Sequence, residues 1–213
     1  MNELKEITAI EIQVKNRNRR SIYLNGEFAF GIHQDVLLEQ SIGIGDSLSE
    51  SQINDILLAE QIKQAKARAL RLLSVRARSE LEIRKRLKDA KVDETAIEQA
   101  INDLTRIGLL DDKEFAFSFA RNRIVTKSCG EILLKQELKN KGVSEEIIDL
   151  AIVEAYKEKS QTELANNLAQ KKKRQYQNID EIKARKRTTD FLLRRGFSWD
   201  IVSSIIEGWQ DLE

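Results

Sequence analysis

The stretch GEILLKQELKNKGVSEEIIDLAIVEA, residues 130–155, decides the fold because the chain carries it three times in related form. A shift of 51 residues aligns it with SELEIRKRLKDAKVDETAIEQAINDL, residues 79–104, and sets Leu138 on Leu87. A shift of 54 residues in the other direction carries Leu138 onto Leu192. Apolar residues recur at helical spacing in every copy. A repeat of this length indicates stacked helical units, none of which buries its apolar face alone.

Each unit carries matching signals for a helix end and a helix start. Gly142 and Gly196 stand at equivalent places where a helix must stop, and glycine readily takes the left-handed conformation found there. Lys91 occupies that place in the first copy and fits the conformation less well. An N-cap residue follows each turn, so the next helix is predicted to begin at Asp93, Ser144 and Ser198. The unit is therefore helix, tight turn, helix, preceded by a longer helix.

Two adjacent aspartates precede three phenylalanines in GLLDDKEFAFSFARNRI, residues 108–124. Acidic pairs bind metals, act in acid/base catalysis, or begin helices. Asp111 and Glu114 have the D-x-x-E spacing of a capping box, and Phe115 and Phe119 lie one turn apart on one helix face. No histidine or further carboxylate is placed to complete a catalytic or metal site. We therefore predict that the pair starts the long helix of the second unit.

The first 50 residues have the pattern of strands. Apolar residues alternate over residues 8–14, and the Asn-Gly pair at 25–26 lies between two apolar runs, which indicates a hairpin. We predict a polar turn at residues 16–19, a three-residue hairpin loop ending at Glu27, and a short helix within residues 31–40. This register gives three antiparallel strands with one apolar face, formed by Ile10, Ile12, Ile22, Leu24, Phe28 and Phe30.

The predicted fold class is mainly α: three tandem three-helix repeats forming an elongated array, preceded by a small antiparallel β module. Nine helices are expected over residues 52–211. The predicted boundaries are residues 1–50 for the β module, 51–109 for repeat one, 110–158 for repeat two and 159–213 for repeat three.

Composition predicts a cytoplasmic protein. The chain has no proline and 33% charged residues, a profile typical of long helices with charged surfaces. Its single cysteine, Cys129, cannot form an internal disulfide, which favours a reducing compartment. The first 20 residues lack the apolar core of a signal peptide, and no stretch is apolar enough to cross a membrane.

The sequence gives no positive sign of catalysis, so no enzyme activity, cofactor or metal is predicted. His33 is the only histidine and is read as a surface or helix-start residue. Cys129 lies before a predicted helix, with no histidine near it in sequence, and is read as a small loop residue. The glycines at 43 and 45 are not followed by the lysine and hydroxyl residue of a phosphate-binding loop.

The net charge of +1 conceals an uneven distribution. Residues 1–60 carry 5 basic and 10 acidic residues, whereas residues 63–88 carry 10 basic and 2 acidic, and residues 171–195 carry 10 basic and 3 acidic. Two separated basic segments favour polyanion binding, although charged helices also serve simply as solvated faces. The candidate residues for binding DNA or a protein partner are Arg71, Arg76, Arg78, Arg84, Lys85, Lys171, Lys172, Lys173, Arg174, Arg194 and Arg195.

Four segments together resemble the hallmark sequences of the RecX family, regulators of the RecA recombinase. They are LLSVRARSELEIRKRL (72–87), GLLDDKEFAFSFARNRI (108–124), GEILLKQELKNKGV (130–143) and FLLRRGFSWDIV (191–202). The resemblance covers about residues 65–210, and the β module is similar to the extension of RecX proteins from some bacteria. Lys91 departs from the glycine expected between the second and third helices of repeat one.

The resemblance implies a non-enzymatic regulator that acts in DNA repair, recombination and the SOS response. Such proteins bind the RecA–DNA filament, lie in its helical groove and inhibit ATP hydrolysis and strand exchange. The implied partners are the RecA filament and DNA, single- or double-stranded, bound weakly and without sequence preference. We expect a monomer with no membrane association, whose basic segments approach phosphates and whose acidic β module contacts protein.

Three other functions are weighed against this one. A stand-alone DNA-binding regulator is suggested by the helix after Gly196, which resembles the second helix of a helix-turn-helix, but the same turn recurs in every repeat. A scaffold without nucleic acid would ignore both DNA and recombinase. A nuclease or other enzyme would need clustered carboxylates or histidines.

Overall fold

The structure, a computed structural model, describes residues 4–212. Its strands are β1 (Lys5–Gln13), β2 (Asn16–Leu24), β3 (Glu27–His33) and β4 (Ser47–Leu48). Its helices are α1 (Gln34–Glu39), α2 (Glu50–Leu73), α3 (Glu80–Asp89), α4 (Glu94–Arg106), α5 (Asp112–Lys127), α6 (Glu131–Asn140), α7 (Glu145–Ala155), α8 (Gln161–Gln175), α9 (Glu181–Arg194) and α10 (Trp199–Glu207), with a 3-10 helix at Trp209–Asp211. The prediction of a mainly α fold with three three-helix repeats after an antiparallel β module is confirmed. Over the described residues, no helix is long and apolar enough to span a membrane.

The strands form one antiparallel sheet in the order β3-β2-β1-β4. Ile22 at its centre pairs with Ile10 on one side and Phe30 on the other. The inner face carries the fully buried Ile7, Ile22 and Ile32, which pack with residues of α1 and α2. The short β4 was not predicted, because two residues carry no periodic signal.

The hairpin loop between β2 and β3 is shorter than predicted. Leu24 pairs with Glu27, so the loop has two residues, and both have positive φ: 49° at Asn25 and 87° at Gly26. This is the conformation that a two-residue Asn-Gly loop favours in a hairpin. The three-residue loop is therefore wrong.

A bulge places Phe28 on the other face of the sheet from the one predicted. The register shifts after Ile22, so that Tyr23 pairs with Phe28 while Ile22 pairs with Phe30. An extra residue in one strand reverses the side on which the following side chains point. Phe28 is 60% exposed, and its ring lies edge-on to that of Tyr23 at 5.9 Å.

Two further details of the β module differ from the prediction. Ile12 pairs with Arg20 and is 62% exposed, because it lies beyond the part of the face that the helices cover. The first turn falls at residues 14–15 rather than 16–19, since Gln13 pairs directly with Asn16. Pairing between strands, rather than local polarity, sets where this turn lies.

Nine α-helices follow the β module within the described residues, as predicted, and they divide into three similar units. Repeat one consists of α2, α3 and α4, repeat two of α5, α6 and α7, and repeat three of α8, α9 and α10.

Most of the predicted helix starts are N-capped. Asp111 accepts hydrogen bonds from the amides of Lys113 (2.8 Å) and Glu114 (3.0 Å), so it is an N-cap as predicted. A return bond to the Glu114 carboxylate, which would complete a capping box, is not found in the described part of the chain. Asp93 and Ser198 also cap their helices, whereas Ser144 takes the N-cap position without a side-chain bond.

The tight turn between the second and third helices forms in all three repeats. Its left-handed residue is Gly142 (φ 81°) in repeat two, Gly196 (φ 83°) in repeat three and Lys91 (φ 58°) in repeat one. A lysine thus adopts the conformation that the later repeats give to glycine, at a steric cost of about 1–2 kcal/mol.

The chain divides into two compact units, one comprising residues up to Arg76 with Ile83–Leu110, the other Ala77–Glu82 with residues from Asp111 onward. The first contains separate cores for the β module and repeat one. The second has one core shared by repeats two and three, which includes Phe115, Leu138 and Phe197.

Candidate functional site

The first basic segment covers the end of α2, the following loop and α3. Arg71 is exposed in the last turn of α2, and Lys85 is exposed on α3. Arg76 is exposed and Arg78 half-buried in the loop between these helices, and both make contacts within the protein. Of these four candidate residues, Arg71, Arg76 and Lys85 are therefore exposed at the surface, whereas Arg78 is half-buried.

Arg84, also in this segment, is engaged inside repeat one. Its Nη1 lies 3.2 Å from Glu94 and 2.8 Å from Glu98, and its side chain is only 20% exposed. Lys88 also pairs with Glu94, and these hydrogen bonds, chiefly that of Lys88, lower the pKa of the Glu94 carboxyl. The charge of Arg84 is thus balanced by the next helix.

The second basic segment begins in α8. Lys171 and Arg174 are exposed, whereas Lys173 donates to the backbone carbonyls of Gln210 (3.1 Å) and Leu212 (2.5 Å). Backbone carbonyls that lack a partner within a helix are satisfied by such side-chain donors. Lys173 therefore ties the segment after α10 to α8.

The structure brings two distant candidate residues together over one aromatic ring. Lys172 Nζ lies 4.7 Å from the ring centre of Phe191, and Arg195 Cζ lies 5.2 Å from the same centre. Arg195 also donates from Nη1 to the carbonyl oxygen of Lys127 at 2.5 Å. Cations near an aromatic face are stabilised by the ring. This group positions two positive charges on repeat three, with Arg194 exposed beside them in sequence.

Four cations outside the predicted set, Arg19, Lys63, Arg68 and Lys91, line a groove of the first compact unit together with Arg71. Arg68 lies within the first basic segment, one turn before Arg71 on α2. The sequence marks Lys91 as the residue that replaces the turn glycine of the other repeats, but this signal by itself indicates only a local departure from the family pattern.

The two aspartates of residues 111–112 have separate structural roles. Asp111 caps α5, while Asp112 Oδ1 accepts a hydrogen bond from the amide of Glu80 at 2.8 Å. Burial raises the pKa of the Asp112 carboxyl above its ordinary value. The pair thus supports two helix starts, that of α5 and that of α3.

The other residues considered for chemistry lie in structural positions. His33 is the N-cap of α1, with its Nδ1 accepting from the amide of Asp35 at 3.1 Å. Cys129 is fully buried, which raises the pKa of its thiol, and Tyr156 donates to its carbonyl oxygen at 2.8 Å. A buried thiol with a raised pKa is a poor nucleophile. Among residues 4–212, no three metal-ligating side chains come together.

Comparison with known proteins identifies four consecutive family domains in the chain. Residues 5–49 match the regulatory protein RecX N-terminal domain, and residues 65–104, 111–152 and 159–206 match the first, second and third RecX three-helix domains.

Curated relatives and solved structures agree with these domains. Regulatory protein RecX of Bacillus cytotoxicus is 32% identical over 94% of this chain and 76% of its own, and that of Limosilactobacillus reuteri is 34% identical over 95% and 76%. A crystal structure of regulatory protein RecX has a TM-score of 0.77 at 35% identity, covering 98% of this chain and all of that one. RecX from Lactobacillus salivarius has a TM-score of 0.64 at 30% identity, covering 71% and 98%.

Proposed function

Because this chain belongs to the RecX family, we propose that it binds the RecA recombinase filament on DNA and inhibits its ATPase and strand-exchange activities. It acts in the cytoplasm, as a non-enzymatic regulator of DNA repair, recombination and the SOS response. The observation that carries this proposal is the match of the β module and all three helical repeats to RecX domains in the same order.

The distribution of charge supports a partner that combines protein and DNA. The exposed cations Arg71, Lys85, Lys171, Arg174 and Arg194 offer contacts to phosphates or to acidic protein surface. The β module with the start of α2 carries an acidic excess. Binding through phosphates alone is weak and independent of sequence. A regulator of a filament that forms on DNA of any sequence needs binding of this kind.

The charges of α10 argue against a stand-alone DNA-binding regulator. A helix that reads the major groove needs cationic or amide side chains that reach the base edges. The sequence of α10, WDIVSSIIE, has two acids and no base, and α7, EEIIDLAIVEA, likewise has no base. The third helices of repeats two and three thus lack the chemistry of a recognition helix.

The decisive experiment measures ATP hydrolysis and strand exchange by the cognate RecA while this protein is titrated in. Both rates should fall together as the protein saturates the filament. The control adds the same amounts of protein to strand annealing without recombinase, which should not change. Unchanged rates at saturation, or rates that rise, would refute inhibition. Selection of one DNA sequence from a random pool would favour the stand-alone regulator.

A further inference from the structure

A groove of about 760 Å³ lies in the first compact unit, between the β module and α2 on one side and the α3–α4 turn on the other. Five basic residues line it: Arg19, Lys63, Arg68, Arg71 and Lys91. Only two carboxylates line it, those of Glu60 and Asp93. The groove therefore has an excess of positive charge before any pairing is considered.

Both carboxylates are committed to the fold. Glu60 is 4% exposed, and its carboxylate accepts from Arg19 Nη1, the amide of His33 and Gln64 Nε2, each at 2.6 Å. Asp93 caps α4 by accepting from the amide of Thr95 at 2.8 Å. Glu60 is thus neutralised by Arg19, and Asp93 is the one remaining carboxylate among the lining residues, against the three cations Arg68, Arg71 and Lys91.

Three of the five cations remain without an acidic partner. Arg19 pairs with Glu60, and Lys63 pairs with Asp35 at 2.6 Å. Arg68, Arg71 and Lys91 form no ion pair with any residue from 4 to 212. Unpaired cations that line a concave surface concentrate positive potential and attract anions.

Lys91 is the left-handed turn residue of repeat one, and its packing differs from that of the equivalent glycines in the other two repeats. A Cβ on Gly142 would lie 2.6 Å from Leu81 Cβ, and one on Gly196 would lie 2.3 Å from the backbone nitrogen of Leu133. The turns of repeats two and three thus pack against the first turn of a helix in the preceding repeat and tolerate only glycine. Repeat one has no preceding repeat, and its turn residue lines the groove instead.

Lys91 therefore keeps a side chain at a position where the other repeats have none. The left-handed conformation disfavours any residue with a Cβ, so glycine would relieve strain there. Strain that persists at a surface position often accompanies function. Here it accompanies a cation aimed at an anion-attracting groove.

The other residues that line the groove distinguish between two polyanions, an acidic protein segment and the phosphate backbone of a nucleic acid. Protein partners are usually anchored by aromatic or aliphatic side chains in apolar pockets. This groove has no Phe, Tyr or Trp; its one ring is the imidazole of His33, whose Nδ1 accepts from the amide of Asp35, and its aliphatic lining is limited to Ala67, Ala90 and Val92. Its other members include the amides of Asn16, Gln61 and Gln64, which donate to phosphate oxygens as readily as to carboxylates. Cations and neutral donors without an apolar anchor are the chemistry of phosphate-backbone contacts.

We propose that this groove binds the phosphodiester backbone of DNA, with Arg68, Arg71 and Lys91 contacting phosphates. Arg68 and Arg71 are neighbours on one face of α2, where each guanidinium can engage a phosphate with two parallel hydrogen bonds. Lys91 supplies a point charge from the opposite wall. Contacts to phosphates carry no sequence information, so the binding is independent of base identity. This inference rests on the proposed function, in which the protein acts on DNA, and it identifies the groove as the place where the DNA phosphates bind.

The test measures binding of a fluorescent mixed-sequence DNA duplex over salt from about 50 to 200 mM, with no recombinase present. The groove variant combines Arg68→Gln, Arg71→Gln and Lys91→Gln. Its slope of log affinity against log salt should be shallower than that of the unmodified protein by between two and three, since each phosphate contact contributes about 0.9. The control, Lys5→Gln with Lys113→Gln and Arg121→Gln, removes the same charge from exposed positions outside both basic segments and should retain the slope.

A second variant separates binding from folding. Lys91→Gly removes the cation and suits the left-handed backbone, so it should fold normally, while its slope falls by about 0.9. An unchanged slope in both groove variants would overturn the proposal, as would the absence of any duplex binding by the unmodified protein. Tighter binding of poly-glutamate than of duplex, lost in the groove variant, would assign the groove to an acidic protein segment instead. None of these results depends on RecA, so the groove can fail while recombinase inhibition holds, and the reverse.

Discussion

Adjacent residues of one type have different roles at Asp111 and Asp112. The side chain of Asp111 is exposed and caps α5, whereas that of Asp112 is half-buried and holds the amide of Glu80 at the start of α3. Both side chains accept hydrogen bonds from amides at a helix start, which otherwise lack partners. Neither requires a metal or a substrate.

Replacing Asp111 by alanine should lower the free energy of unfolding by about 0.5–2 kcal/mol, because two amides lose their acceptor. Urea denaturation at neutral pH measures this loss. Asp111→Asn, which keeps an acceptor oxygen, is the matched control and should stay close to the unmodified protein. If Asp111→Ala leaves stability intact but abolishes RecA inhibition, the cap interpretation is wrong and a binding role replaces it.

Asp112→Asn should remove the part of the pH dependence of the free energy of unfolding that comes from this carboxyl group. Burial raises the pKa of Asp112 in the folded state above its unfolded value. Its contribution to stability is therefore complete below the unfolded pKa and is lost as pH rises through the folded pKa. Asparagine keeps an acceptor for the amide of Glu80 without the buried charge.

The variant should accordingly gain stability relative to the unmodified protein as pH rises from about 3 towards neutrality. Urea midpoints measured across that range test this. Asp111→Asn serves again as the control, because its side chain is exposed. A difference that does not change with pH would show that Asp112 is not destabilised by its charge.

At the scale of elements, the turn between the second and third helices shows how one motif adapts to its neighbours. Gly196 is fixed from outside its own repeat: its carbonyl accepts from the amide of Ile132 at 3.1 Å, and Gly130 donates to the carbonyl of Arg195 at 2.9 Å. Two backbones approach too closely for a side chain on either glycine. Lys91 has no such neighbour, so only the local left-handed strain opposes it.

Gly196→Ala should therefore destabilise the protein by about 2–5 kcal/mol, since it adds left-handed strain to a clash with the backbone of Leu133. Lys91→Gly should change the free energy of unfolding by no more than about 1 kcal/mol, because relief of strain is offset by the greater freedom of glycine in the unfolded chain. Chemical denaturation of both variants provides the comparison. Equal effects at the two positions would show that the packing difference between the repeats is unimportant.

At the scale of the whole molecule, the candidate cations divide by what they contact. Arg84, Lys173 and Arg195 are engaged with protein groups, whereas Arg71, Lys85, Lys171 and Arg194 are exposed. We expect several of the engaged residues to be bystanders in binding. Exposed cations, in contrast, lose little by exchanging water for a phosphate.

Neutralising Arg71 with Lys85, or Lys171 with Arg174 and Arg194, should weaken DNA binding and flatten its salt dependence by nearly one unit of slope per phosphate contact. Neutralising cations that contact the recombinase should instead reduce the inhibition of RecA, with little effect on the binding of free DNA. Arg84→Gln is the matched control and should leave both activities unchanged while costing about 1 kcal/mol of stability or less. If both cluster variants fold normally, bind DNA with the original salt slope and still inhibit RecA fully, the basic segments are only solvated faces and the site assignment is wrong.

The sequence by itself determined the three helical repeats, their turns, the cap at Asp111 and the RecX resemblance. These features depend on periodicity and on residues within a few positions of one another, so they can be read without knowing the fold. The turn of repeat one was less clear from the sequence, because Lys91 fits the left-handed conformation less well than glycine, and its value as a cation was not visible.

Only the tertiary structure decided which faces and charges are free. Phe28 lies outside the apolar face because of a bulge in the β2–β3 pairing, which no local pattern signals. Arg84 meets Glu98 across 14 residues, and Arg195 meets the carbonyl of Lys127 across 68. Whether a cation is neutralised depends on which elements pack beside it, because charge–charge interactions act through space and not along the chain. The same holds for Arg68, Arg71 and Lys91 in the groove, where packing leaves these three cations without an ion pair to any residue from 4 to 212.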